Sequence, residues 1–287
     1  MANTVNVAHV QQFNANVEMI LQQLDSRFRG KVNEKSDYVG KQATVVDQIG
    51  KVEMVQKTVR NGPVTFANVP HTRRWVMPTD YNLADAVDST DKLRTLWDPT
   101  GYYAEEFRSA ARRRIDATIY DAFFANAYTG ENGTSTTSFP TSTQQIVSGS
   151  VGLTVAKLRT AREKLRAAEV PEDEPLFCGI TAVDETALMN EIQIINLDYN
   201  TRPVLVEGKV TSFMGFNFVH YESVATASSE RRLPVWAKSG MHLAIWKDVV
   251  VDVGIRRDLG TTMQVFAEMT IGATRTQELK VVEILCA

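Results

Sequence analysis

The sequence predicts an α+β fold. Two observations carry this. Stretches of helical and strand periodicity follow one another as helix, long hairpin, long helix, mixed middle and strand-rich end. There is neither the regular strand–helix–strand alternation of a parallel α/β sheet nor an internal repeat. The 287 residues suffice for one large domain or two modest ones. With 44% hydrophobic and 23% charged residues the chain can bury an ordinary core.

Val10, Phe13, Val17, Ile20 and Leu24 recur at spacings of three and four, which predicts an amphipathic N-terminal helix stopped near Gly30. Such a stripe packs on the chain's own core or on a neighbouring copy; left bare it is a sticky patch. Residues 41–83 change character. Ala43–Val46, Val52–Val55 and Arg74–Met77 read as strand, and Asn61-Gly62-Pro63 signals a turn before Val64-Thr65-Phe66. The result is a long hairpin, polar on both faces, and a lone hairpin is marginal in water. It needs either its own domain or a partner to lie on.

The clearest helix follows. Asp98 suits the N-cap and Pro99 the first helical position. Tyr103, Phe107, Ala111, Ile115, Ile119 and Phe123 run at i+4 along one side, with Glu105 and Glu106 near the positive end of the dipole. With Gly130 as the stop it would be about 45 Å long. Residues 131–150 read as loop. Thr154 then caps a helix ended by Pro171, Leu176–Ile180 reads as a buried strand, and a helix is expected over Asp184–Glu191. Strands are expected around Phe216–Tyr221 and over 243–246, 249–253, 264–267 and 279–285.

Chemistry is sparse. Gly-rich phosphate loops, a His-Glu-x-x-His pair and a Gly-x-Ser-x-Gly elbow are all missing from the sequence. His9, His71, His220 and His242 lack partners at ligand spacing, so neither a metal nor a cofactor is expected. Cys178 and Cys286 form no framework. Arg112 with Asp116, and Glu105 with Arg108, fall at intrahelical pairing distances, which explains much of the Arg112-Arg113-Arg114 run; contact with a neighbour's hairpin and then with nucleic acid are the other readings. Asp184-Glu185 and Glu172-Asp173-Glu174 read as solvated turns. The net charge of −3 is that of a poor dedicated nucleic-acid binder. No apolar run has the length of a membrane span.

Three stretches, in order, carry a resemblance. Val69-Pro70-His71-Thr72-Arg73-Arg74 runs into Pro78-Thr79-Asp80-Tyr81 and Ala84-Asp85. Asp91-Lys92-Leu93-Arg94 and Asp98-Pro99-Thr100 lead into the long helix. Gly272-Ala273-Thr274-Arg275 precedes Lys280-Val281-Val282-Glu283-Ile284. Together they resemble the major capsid proteins of tailed bacteriophages, whose fold is named after phage Hong Kong 97.

That resemblance implies an N-terminal arm over 1–40 and an extended loop over 41–90. It further implies a peripheral domain with a spine helix over 91–150 and 241–287, and a mostly axial domain over 151–240. It implies a non-enzymatic shell subunit, assembling with itself as hexamers and pentamers around packaged double-stranded DNA. Portal and separate scaffolding proteins would be partners, a cementing protein is a further one, and no membrane is involved. The virion head, assembled in the host cytoplasm, would be the location. An encapsulin-type compartment around a cargo enzyme is the alternative with the same fold. Expected interface residues are Val10, Phe13, Val17, Ile20 and Leu24 on the arm, and Lys57, Asn61, His71, Arg73 and Arg74 on the loop. Some relatives cross-link a Lys to an Asn, but no pattern marks Lys51 or Lys57 for that role. Arg73 and Arg74 are expected to reach different partners, because adjacent strand residues point to opposite faces.

Overall fold

The computed structural model describes residues 22–60, 62, 64, 66–87, 99–191, 205–206, 209–227, 229–259 and 262–287. Residues 22–32 lie against the long helix and lead into the short strand β1 (Asn33–Lys35). Then come β2 (Ala43–Ile49), β3 (His71–Val76), β4 (Thr79–Val87) and helix α1 (Pro99–Phe124). β5 (Ala127–Thr129), β6 (Ser135–Thr137), α2 (Thr141–Gln144) and β7 (Gln145–Ile146) follow. The middle holds α3 (Val155–Ala167), β8 (Leu176–Ile180) and α4 (Ala182–Met189). Short strands β9 (Leu205–Val206), β10 (Lys209–Val210) and β11 (Ser212–Phe213) lead to β12 (Phe216–His220), β13 (Thr226–Ala227) and β14 (Glu230–Ala237). The chain ends with β15 (Met241–Arg256), β16 (Thr262–Arg275) and β17 (Val281–Cys286).

α1 packs on a sheet of order β1-β15-β16-β4. The i+4 stripe does what its spacing requires. Phe107, Ile115, Ile119 and Phe123 are buried against β15 and β16, with Tyr103 and Ala111 partly so. The helix has 26 residues, about 39 Å, and stops at Phe124, short of Gly130. Two contacts end it there. Ala127–Thr129 leave to pair with β3, and the buried Arg275 guanidinium donates to the carbonyls of Phe123 (2.8 Å) and Ala125 (2.6 Å).

The segments 243–246 and 249–253 are one strand, β15, which pairs with β16 through register shifts between Ile245 and Val250. A bulge there breaks the alternation, which is why the stretch reads as two strands. Gly272 of β16 permits a close approach: a Cβ there would stand 2.4 Å from the Met77 carbonyl oxygen.

The second sheet has the order β11-β12-β8-β14-β17-β7, with β13 on β14. β8 is buried along its whole length, parallel to β12 and antiparallel to β14. α3 covers it with Val155, Leu158, Ala161 and Leu165. β17 belongs to this sheet, so the last strand of the stretch 241–287 parts from β15 and β16. The two layers share one aromatic core in which Phe28, Phe123, Tyr221 and Trp236 meet. The two cysteines are free and buried, and burial holds both thiols above their ordinary range, Cys286 at about 11.

Residues 41–83 differ from the expected hairpin. β2 pairs with β3 only from Ala43–Val76 to Ile49–His71, in a sheet of order β2-β3-β5-β6. Residues 52–55 form no strand, nor do the described residues 64 and 66. With little apolar surface in the excursion, only its root, where Ala43 and Val76 meet Ala244, has a core to pack on. β4 leaves the excursion and joins β16.

Candidate assembly surfaces

The Asn61-Gly62-Pro63 turn falls partly outside the described residues, as do Val10, Phe13, Val17, Ile20 and Asn61. Leu24 is half exposed, and its carbonyl accepts a hydrogen bond from Arg112. This part of the arm is held by a carboxylate. Asp116, fully buried in the middle of α1, accepts from Gln23 Nε2 (2.5 Å), Ser26 Oγ (2.5 Å), Arg27 N (2.6 Å) and Phe28 N (3.1 Å). The intrahelical Arg112–Asp116 pair is therefore not made. Arg112 turns outward to Asp25 at 2.9 Å, and Arg113 pairs with Glu106 at 2.9 Å. Asp116 could not be singled out by spacing, because its partners lie about ninety residues away.

Asp184 also departs from the solvated turn expected of it. It is fully buried, closes a capping box with Thr181 and accepts from Arg231 at 3.0 Å. α4 accordingly starts at Ala182.

The loop root separates its two arginines as strand alternation requires. Arg73 lies outward, 2.5 Å from Asp47, with its guanidinium over the Trp75 ring. Arg74 is buried, donating to the Thr276 carbonyl (3.0 Å) and to Glu278 (2.5 Å). Both carboxylates belong to the same chain. His71 and Lys57 are exposed, and His71 lines an open cleft with Asp47, Arg73 and Glu131.

The Gly50 N–H donates to the Pro70 carbonyl at 2.7 Å, and beyond this root residues 51–60 and 66–68 are exposed. Met54, Val55 and Phe66 are 102%, 90% and 93% exposed. Lys51 comes within 3.9 Å of Glu169, an exposed pair worth less than about 1 kcal/mol. Among the described residues no group of His, Cys, Asp and Glu could hold a metal ion, and no helix is long and apolar enough to cross a membrane.

Residues 33–35 join the edge of the first sheet at a second lock. β1 runs parallel to β15 opposite His242, Leu243 and Ala244. His242 is buried with Nε2 3.0 Å from the Tyr38 hydroxyl, and Lys35 lies over the Tyr38 ring. Burial, then the Lys35 charge, pushes the imidazole down to about 4. An unfolded histidine titrates near 6.5, so the unfolded chain binds the extra proton first as pH falls. Stability from this site is therefore complete above about pH 6.5 and is lost between there and about pH 4, by about 3 kcal/mol. His242→Gln keeps a group facing Tyr38 and removes the titration. Urea midpoints measured from pH 7 to pH 4 should fall less steeply for this variant; parallel curves would contradict the assignment.

A protein-family model described as Phage capsid protein matches residues 5–287. No curated protein sequence matches. Solved structures do. The capsid of the cyanophage P-SCSP1u superposes with a TM-score of 0.78 at 15% identity, over 100% of this chain and 95% of that one. The capsid of the cyanophage Pam1 gives 0.79 at 11%, over 100% and 99%. A chain of Mycobacterium phage Che8 gives 0.71 at 13%, over 99% and 98%. At these identities the likeness is one of fold, the Hong Kong 97-type fold.

Proposed function

The chain belongs to the phage capsid protein family, and from that premise we propose that its copies close into hexamers and pentamers forming a head shell around double-stranded DNA. Family and fold point to a structural role, with no catalytic activity of its own. The observation that carries the assembly reading is the loop 50–70. Its described residues place large apolar side chains in solvent and bury almost nothing on their own chain. Covering Met54, Val55 and Phe66 would contribute roughly 5–9 kcal/mol per subunit. Ordering the loop opposes this by about 1–2 kcal/mol per residue, so the loop gains stability only where a neighbour receives it and adds further contacts.

In this reading the arm (1–40), loop (41–90), peripheral (91–150, 241–287) and axial (151–240) regions are assembly parts. The separate layers around α1 and around α3 support that division, with β17 on the axial side. Lys57, Asn61, His71 and Arg73 are proposed as loop contacts; Arg74 holds the loop root through Glu278 and acts there from inside. The stripe Val10, Phe13, Val17, Ile20 and Leu24 is proposed to be covered on assembly. Scaffolding, portal and cementing proteins are proposed partners, and the DNA is held without sequence specificity, in keeping with the net charge of −3. Assembly is placed in the host cytoplasm. A compartment shell around a cargo enzyme is not favoured by the family match.

Sedimentation of the chain produced together with its scaffolding partner tests the reading. Closed particles many times heavier than the 32.0 kDa chain are expected. A monomer under all such conditions would contradict it.

A further inference from the structure

The chain as a whole gives a polyanion little to hold, with 31 Lys and Arg against 34 Asp and Glu. Phosphates can then be bound only where cations gather without carboxylates of their own. Several exposed arginines fail that condition: Arg29 pairs with Asp248, Arg112 with Asp25 and Arg256 with Asp258.

One cleft meets it. About 820 Å³ opens between the base of the arm, α1 and the turn after β12, lined by Arg27, Arg113, Arg114 and His220 against a single carboxylate, Glu222. The acids at hand are already engaged. Glu222 accepts from the Ala182 N–H at 2.6 Å and lies 3.1 Å from His220 Nε2. Glu106 holds Arg113 at 2.9 Å, and Asp116 is taken up by the arm backbone.

Two guanidinium groups are left uncompensated. Arg27 gives its backbone N–H to Asp116, while its exposed side chain meets no carboxylate among the described residues. Arg114 lies over the Tyr81 ring and donates to the Tyr81 hydroxyl at 3.1 Å, again with no carboxylate among the described residues. Burial, then the Arg27 charge, holds the Lys31 ammonium below its ordinary range, as expected where cations crowd. The planar fork of a guanidinium matches two oxygens of a phosphate. An anion seated here would touch the arm base, α1 and the turn after β12 together.

We propose that this cleft binds phosphoryl oxygens through Arg27 and Arg114, those of the duplex backbone in a filled shell. The proposal rests on the shell reading and names where its DNA touches the subunit.

Fluorescence anisotropy of a short labelled duplex, titrated with the full-length free subunit at several salt concentrations, tests it. The unsubstituted chain is expected to bind, more weakly as salt rises. Arg27→Ala with Arg114→Ala should weaken binding at low salt at least about tenfold and flatten the plot of log K against log salt by roughly 2 in slope. Arg159→Ala with Arg257→Ala removes the same charge from exposed positions elsewhere and should leave both nearly unchanged. Should the first pair fail to fold, Arg27→Ala alone decides, with a slope flatter by roughly 1. Tripolyphosphate should displace the duplex from the unsubstituted chain. A subunit that binds no duplex, or equal losses for the two pairs, would overturn the proposal; tripolyphosphate bound without the duplex would overturn the assignment to DNA. Particle formation is scored separately by sedimentation, so lost duplex binding in a chain that still assembles counts against this cleft and not against the shell reading.

Discussion

Asp116→Ala is expected to lower the stability of the subunit by about 3–5 kcal/mol and to release the arm from α1. The carboxylate is fully buried and accepts from an amide, a hydroxyl and two backbone N–H groups of residues 23–28. Hydrogen bonds to a charged group contribute about 1.5–3 kcal/mol each, and a buried donor left unpaired adds its own desolvation cost. Phe28, which follows directly, is the plug between Phe123, Tyr221 and Trp236, so loosening its backbone loosens the core. Thermal melting should fall by on the order of 10 °C, and trypsin should cut at Arg27 and Arg29 far sooner. Asp121→Ala, on an exposed position of the same helix, should stay within about 0.5 kcal/mol. Equal melting and equal trypsin protection for the two variants would remove Asp116 from this role.

Arg275→Met should be at least as damaging. This guanidinium is fully buried and its close partners are carbonyl oxygens at the C-terminal end of α1, with the Phe139 ring beside it. Burial holds its pKa down at about 10, so it remains protonated at neutral pH. It is a cation placed where the helix dipole is negative and where carbonyls lack partners. Methionine fills much of the volume but leaves those carbonyls dry, for an expected loss of about 3–5 kcal/mol. Lysine restores the charge without the planar fork and cannot meet carbonyls on both sides at once. Urea midpoints should therefore rank Arg, then Lys, then Met; a lysine variant equal to the native chain would show that charge alone suffices.

What the sequence discloses, and what it hides, follows from distance along the chain. The α1 stripe, the Thr154 cap and the buried strand Leu176–Ile180 rest on local spacing, and each stands where spacing puts it. Arg73 and Arg74 likewise point to opposite faces. Their partners were not legible, because Glu278 is about two hundred residues from Arg74. Asp116 was misassigned for the same reason: i+4 spacing offers Arg112, and nothing local announces four donors from the arm. Asp184 was misread because an acidic pair beside a turn looks solvated until Arg231 and the capping box are brought to it. The middle of residues 41–83 has strand-like composition but, among the described residues, no strand beside it. In the proposed shell such a segment would be completed by a second copy, which a single sequence contains only as itself.

The chain belongs to the phage capsid protein family, and its loop is proposed to be completed by a neighbour. Electron cryomicroscopy of DNA-filled particles tests it most directly, by tracing residues 50–70 from the root at Gly50 and Pro70. The expected map shows each loop continuous and ordered across the body of an adjacent subunit, with Met54 and Phe66 covered. A loop folded back on its own subunit, in a shell that is nonetheless closed, would contradict the account.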